Sequence, residues 1–244
     1  MPHIATCLVA LVFATGCHSL WADDDLVGSG HLIAVRPQVP AFTGVEVDNS
    51  FAVVITIGAP EVVITLDDNI VAAGIVRAEV DARGVLVIRQ CDDCRDFAPS
   101  AGAAIRLSAR RIDTIRATGE VTIDAETNAE HVVLESSGET RLAVTARGAL
   151  TVSAIASDLS TLSLAGTAPS LTARSSDEAT LRSTAVTSEI EVVATDLAQV
   201  SARATDSATI TASGAAAVVI AGEPVDRAIH ISDEATVRFP ETPE

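Results

Sequence analysis

Aliphatic and polar positions alternate along the second half of the chain in short runs that keep returning. One aliphatic column reads Ile115, Leu134, Ala154, Ala173, Val192, Ile210 and Ile229, and a second reads Ile123, Leu142, Leu162, Leu181, Val200, Val218 and Val237. The residue before each member of the second column is almost always polar: Thr122, Arg141, Thr161, Thr180, Gln199, Ala217 and Thr236. Alternation with period two predicts strands that bury one face and expose the other. No stretch of the repeat keeps a helical rhythm, which excludes helices there.

Between the two columns sits a two-residue step, Ser or Thr followed by Gly or Asp. It occurs as Thr118-Gly119, Ser137-Gly138, Ser157-Asp158, Ser176-Asp177, Thr195-Asp196, Ser213-Gly214 and Ser232-Asp233, with gaps of 19, 20, 19, 19, 18 and 19 residues. A period in this range marks a stacked-repeat architecture. Two strands meeting at each step, and pairing with their copies one coil away at ~4.8 Å, predict an all-β parallel β-solenoid of about 19 residues per coil. A second pair of strands in some coils, such as residues 207–211, is expected to complete the circuit. Gly and Asp tolerate left-handed backbone angles, and the preceding hydroxyl can bond a nearby backbone group, so the step reads as the corner of the coil. Replacing Gly138 by valine is therefore expected to destabilise the rod by about 1 kcal/mol or more. The rival reading is a cation ladder, in which Asp158, Asp177 and Asp196 stack and hold Ca²⁺. The glycine-rich nonapeptides of calcium-loaded β-rolls are missing, which favours turn geometry.

Residues 28–89 also alternate as strands do. Runs at 45–47, 51–57, 62–66 and 85–88 are separated by turn signals at Gly58-Ala-Pro60, Asp67-Asp-Asn69 and Ala82-Arg-Gly84. Apart from the loop 91–102, nothing separates this part from the repeat, so residues 23–240 read as one solenoid domain with an irregular start, and 241–244 as a tail. The opening Gly28-Ser-Gly30, then Arg36, Phe42-Thr-Gly-Val-Glu-Val47, the run 53–58 and Gly84-Val-Leu-Val-Ile88 together resemble the auto-transporter adhesin head GIN domain family. The resemblance covers residues 28–239. It implies a right-handed β-helix-like fold on an exported or surface-bound bacterial protein, and it brings no catalytic residues with it. The chain departs from the family in using Asp, Glu and Leu where the family's coils are often rich in Gly.

Composition narrows the function classes. Apolar residues make up 48% but aromatics only 2%, so the core must be narrow and aliphatic. All 16 basic residues are arginine and the formal charge is −17, which argues against nucleic acid and against docking on an anionic membrane by charge. The apolar run 8–14 is too short to span a bilayer and reads as part of an export signal over residues 1–22. It ends in Ala14-Thr-Gly-Cys17, similar to a bacterial lipobox, which makes Cys17 the lipidation candidate; cleavage after Ala22 is the rival. Cys91-Asp-Asp-Cys94 reads first as a local disulfide and second as a redox pair.

No Ser-His-Asp set, metal triad or phosphate loop stands at usable spacing, and the aromatic platforms of polysaccharide-active β-helices are scarce. No catalytic residue, metal or cofactor is expected. The sequence points to an adhesin-like or binding module with a protein or glycan partner at the cell surface. A periplasmic or outer-membrane scaffold is the alternative, and a polysaccharide-active enzyme a minor one. Contact with the membrane is expected only through a lipid anchor, and self-association is open to the solenoid end through strand pairing.

Overall fold

The structure is a computed structural model that describes residues 25–91, 94 and 96–240. The export signal, Cys17 and the tail 241–244 lie outside the described residues. The first part of the chain forms β1 (Leu26–Val27), β2 (Leu32–Val35), β3 (Gly44–Asp48), β4 (Ala52–Ile57) and β5 (Glu61–Asp67). The short helix α1 (Asp68–Ala72) follows, then β6 (Val76–Val80), β7 (Val85–Gln90), β8 (Phe97–Ala98) and β9 (Ala104–Ala109). From there strands come in pairs. These are β10 (Thr114–Thr118) with β11 (Thr122–Thr127), β12 (His131–Ser136) with β13 (Arg141–Ala146), and β14 (Thr151–Ala156) with β15 (Thr161–Gly166). Next come β16 (Ser170–Ser175) with β17 (Thr180–Ser183), and β18 (Glu189–Ala194) with β19 (Gln199–Arg203). The last pairs are β20 (Ser207–Ala212) with β21 (Ala217–Ala221), and β22 (Asp226–Ile231) with β23 (Thr236–Arg238).

Each pair is one coil of a parallel β-solenoid. The first strands stack into a ten-stranded sheet and the second strands into an eleven-stranded one. Pairing runs in register: Leu142 stands on Leu162, Leu162 on Leu181, Leu134 on Ala154 and Ile190 on Ala208. A coil needs only two strands. Residues 207–212 are the first strand of their own coil, not half of an extra pair, because two strands of up to six residues and two corners use up the whole period.

The two aliphatic columns face each other between the sheets and are buried throughout their length except in the last coil. Burying each valine, leucine or isoleucine among them is worth about 1.5–3 kcal/mol. Beside the corners the core narrows to Ala117, Ser136, Ala156, Ser175 and Ala194. Ile229 departs from its column: it is 42% exposed because no coil covers β22.

The start of the chain is not laid down in spatial order. β3 and β4 make a coil directly beneath β10 and β11. β7 and β9, which come later in the chain, make the coil beneath that one. Antiparallel β6 then covers the edge of β7, while β5 and β2 cover that of β9, so among the described residues neither large sheet ends here in a parallel strand. The Asp67-Asp-Asn69 signal, read from sequence as a turn, instead starts α1. There Asn69 Oδ1 accepts from the Ile70 N–H at 3.0 Å, and Ile70 is fully buried under the rod.

Candidate functional site

The corner ladder has one conformation in two chemistries. The second residue of every step has positive φ: 90° at Gly119, 73° at Gly138, 60° at Asp158 and Asp177, 62° at Asp196, 70° at Gly214 and 59° at Asp233. These are left-handed angles, for which Gly has no Cβ penalty and Asp a small one. The aspartates add a specific bond. Asp158 Oδ2 accepts the Gly138 N–H from the coil below at 2.9 Å, Asp177 Oδ2 that of Asp158 at 3.4 Å, and Asp233 Oδ2 that of Gly214 at 3.2 Å. The preceding hydroxyl also donates to the same carboxylate: Ser176 to Asp177 and Thr195 to Asp196 at 2.9 Å, Ser232 to Asp233 at 3.1 Å and Ser157 to Asp158 at 3.4 Å. In the glycine coils Ser137 donates to the Thr118 hydroxyl at 3.4 Å. Ser213-Gly214 completes the series with its glycine N–H held from above. The carboxylates of Asp158, Asp177 and Asp233 therefore act as staples between coils. Among the described residues no group of three His, Cys, Asp or Glu side chains is placed to hold a metal ion.

The ladder extends one coil further than its motif. Asn49 has φ 88°, and its N–H reaches the Thr118 carbonyl at 3.2 Å, so it is the corner beneath Gly119. Below it the Asn49 side chain bonds Gln90, the last residue of β7. Cys91 and Cys94 are joined as a disulfide with Cα atoms 5.4 Å apart, closing the chain where the bottom coil turns. The loop is short, so its chain-entropy contribution lies at the low end of the disulfide range.

A second polar cluster, at the closed end, explains the Gly28-Ser-Gly30 opening. Asp67 is fully buried. It accepts the Ser100 hydroxyl at 2.6 Å, the Ser100 N–H at 2.9 Å and the Gly30 N–H at 2.8 Å. A Cβ on Gly28 would stand 2.4 Å from its Oδ2, so only glycine fits there. The Ser100 hydroxyl and N–H, followed by the Gly30 N–H, hold the Asp67 carboxyl below its ordinary value of 3.8, against the opposing effect of burial. A depressed pKa in the fold means that this contribution is present above pH 3.8 and is lost as pH falls through the folded value. Asp67→Ala strands the donors of Ser100 and Gly30. We expect it to lower Tm by about 5 °C or more near neutrality and to flatten the loss of stability below pH 4, as read by thermal melts across pH. An unchanged Tm would remove Asp67 from this role.

Ser29, Asp68 and His31 lie close by, but in the wrong order for a nucleophile. The Ser29 hydroxyl donates to Asp68 Oδ1 at 2.6 Å, while His31 Nδ1 stands 3.4 Å from Asp68 Oδ2. The serine proton points at Asp68 and not at His31, so the three do not form a Ser-His-Asp relay.

The outward faces carry the remaining chemistry. A shallow depression of 260 Å³ lies on the eleven-stranded sheet, floored by Ala143 and Ser163 and bounded by Asp124 and Arg182. The same face presents Arg106, Arg141, Arg182, Arg203 and Arg238, all exposed. The corner edge is acidic, with Glu120, Glu139, Asp158, Asp177, Glu178, Asp196, Asp233 and Glu234. Charge is thus segregated in a chain of net −17. Sequence reading missed this because Arg106, Arg182 and Arg238 share a column that other residue types interrupt, while Arg141 and Arg203 stand in two others.

Three comparisons place the chain among known proteins. The model of the family described as "Putative auto-transporter adhesin, head GIN domain" matches residues 41–224. A solved structure of a putative adhesin from Bacteroides fragilis is similar over 88% of this chain and all of its own, at 16% identity and a TM-score of 0.77. A putative adhesin from Parabacteroides merdae covers 89% of this chain with all of its own, at 14% identity and a TM-score of 0.60. A protein described as a putative lipid binding protein from Parabacteroides distasonis does the same at 14% identity and a TM-score of 0.59. At such identities the likeness is one of fold. No curated protein matches the sequence.

Proposed function

Since the chain belongs to the auto-transporter adhesin head GIN domain family, we propose that it is a non-catalytic, adhesin-like binding module of the bacterial cell envelope. In this reading a lipoprotein signal ending at residue 16 exports it, and Cys17 anchors it through a lipid. The observation that carries the proposal is the shape of the outward surface. Two long sheets present ordered polar columns, and the depression between Asp124 and Arg182 lies open on one of them. Extended contact with a protein or glycan suits such faces, whereas catalysis calls for a water-excluding site with convergent groups.

The test combines protease digestion of intact cells with labelled-palmitate incorporation. Digestion of the domain on unbroken cells, and label on the parent but not on Cys17→Ser, is the expected result. Protection until the outer membrane is opened would instead favour a periplasmic scaffold. Equal labelling of the two proteins would remove the anchor.

A further inference from the structure

The acidic corner edge and the arginine face match each other coil by coil. Arg141 on β13 follows the corner of its own coil, which carries Glu139. Arg182 on β17 belongs to the coil of Asp177 and Glu178, Arg203 on β19 to that of Asp196, and Arg238 on β23 to that of Asp233 and Glu234. The coil between Arg203 and Arg238 lacks an arginine on this face, carrying Ala217 and Val219 in the outward columns. Its corner, Gly214-Ala215, lacks an acid as well. Among the described residues none of these four arginines has an ion-pair or hydrogen-bond partner, although Arg116 and Arg147 on the same rod pair with Glu135 and Glu126 at 2.7 and 2.6 Å.

We propose that this face docks the acidic corner edge of a second copy of the chain, with the two rods parallel and level. Both surfaces share the ~4.8 Å coil repeat, so one aligned coil aligns the others. The match spans about 24 Å from Arg141 to Arg238, five steps of that repeat. It ends below β13, where level rods would set Glu120 toward Asp124, so the contact belongs to the coils nearer the open end. A free polyanion fits less well: it would carry charge past the coils that lack an arginine, whereas the corner edge of a second copy supplies charges only where an arginine stands, save at Asp158. The contact is heterologous, joining edge to face without a rise along the axis, so repetition stays in one plane and closes a ring only where the rotation between neighbours closes. It is narrow, well under the ~1,200 Å² of stable complexes, and therefore weak and sensitive to salt.

Charge reversal tests it by analytical ultracentrifugation of the protein at low and high salt. The parent should associate at low salt and dissociate at high salt. Arg182→Glu with Arg203→Glu, and separately Glu139→Arg with Glu178→Arg, should each weaken association about tenfold or more. Mixing the two variants should restore it, since each then presents what the other lacks. All four side chains are exposed, and circular dichroism should show both variants folded. A monomeric parent at low salt, association unaffected by either reversal, or no recovery on mixing would overturn the proposal. Loss of binding to anionic vesicles or to an acidic polysaccharide, with a monomeric parent, would reassign the arginine face to such a ligand.

Discussion

Replacing Gly166 by alanine is expected to destabilise the rod by more than about 3 kcal/mol and to lower Tm by roughly 6–12 °C. Gly166 ends β15 with φ 100°, outside the left-handed well that Asp or Asn can share. A Cβ there would lie 2.0 Å from the Ala146 carbonyl oxygen and 2.9 Å from its carbon. Neither neighbour can give way cheaply. The Ala146 carbonyl accepts the Thr167 N–H at 3.1 Å, and the Gly166 carbonyl accepts the Val186 N–H at 3.0 Å. Gly148 is the control: its φ is 79°, but nothing lies within 4 Å of an added Cβ, so Gly148→Ala should cost only about 1 kcal/mol of backbone strain. Equal melting of the two variants would show that the second corner is looser than the packing at Ala146 implies.

Gly166 also marks where the sequence stops being readable. The first corner repeats as Ser or Thr with Gly or Asp because its backbone angle admits only a few residue types and each coil reuses it. The second corner varies in length and type. Gly166 and Gly222 come against carbonyls of the coil below, while other coils manage with alanine at the same height, so no single motif recurs. The two aliphatic columns were legible for a different reason: in-register stacking brings like positions together, and a core this narrow admits few shapes.

Asn49 shows a further limit. It is a corner of the same ladder, yet Ser50 and Glu120, one coil apart in space, are 70 residues apart in sequence. The insertion that builds the closed end breaks the period there, and Asp48-Asn49 lacks the hydroxyl that marks the other steps. The Gly28-Ser-Gly30 opening was visible, but its cause was not. The explanation lies in Asp67, a residue whose sequence neighbours suggest only a turn. The arginine face escaped notice for a similar reason. Arg182 and Arg238 share a column but are separated in it by Ser201 and Val219, and Arg141 and Arg203 stand in other columns, so their agreement with the acidic corners emerges only once the coils are numbered by height.

At the centre of the fold is the corner, an architectural device in which glycine and the short side chains of aspartate and asparagine are interchangeable and other residues are not. Asp177 stacked on Asp158 shows that the ladder admits a Cβ when the side chain can staple the coil below. Valine at such an angle is a steric outlier, and at position 138 its Cβ would meet the Gly119 carbonyl at 2.8 Å with no bond gained in return. Calorimetric melting of Gly138→Asp beside Gly138→Val tests this most directly. The aspartate variant should stay within about 1 kcal/mol of the parent, while the valine variant should lose about 2–3 kcal/mol. If the two melt together, or if aspartate proves the worse of the pair, the ladder is not the corner described above.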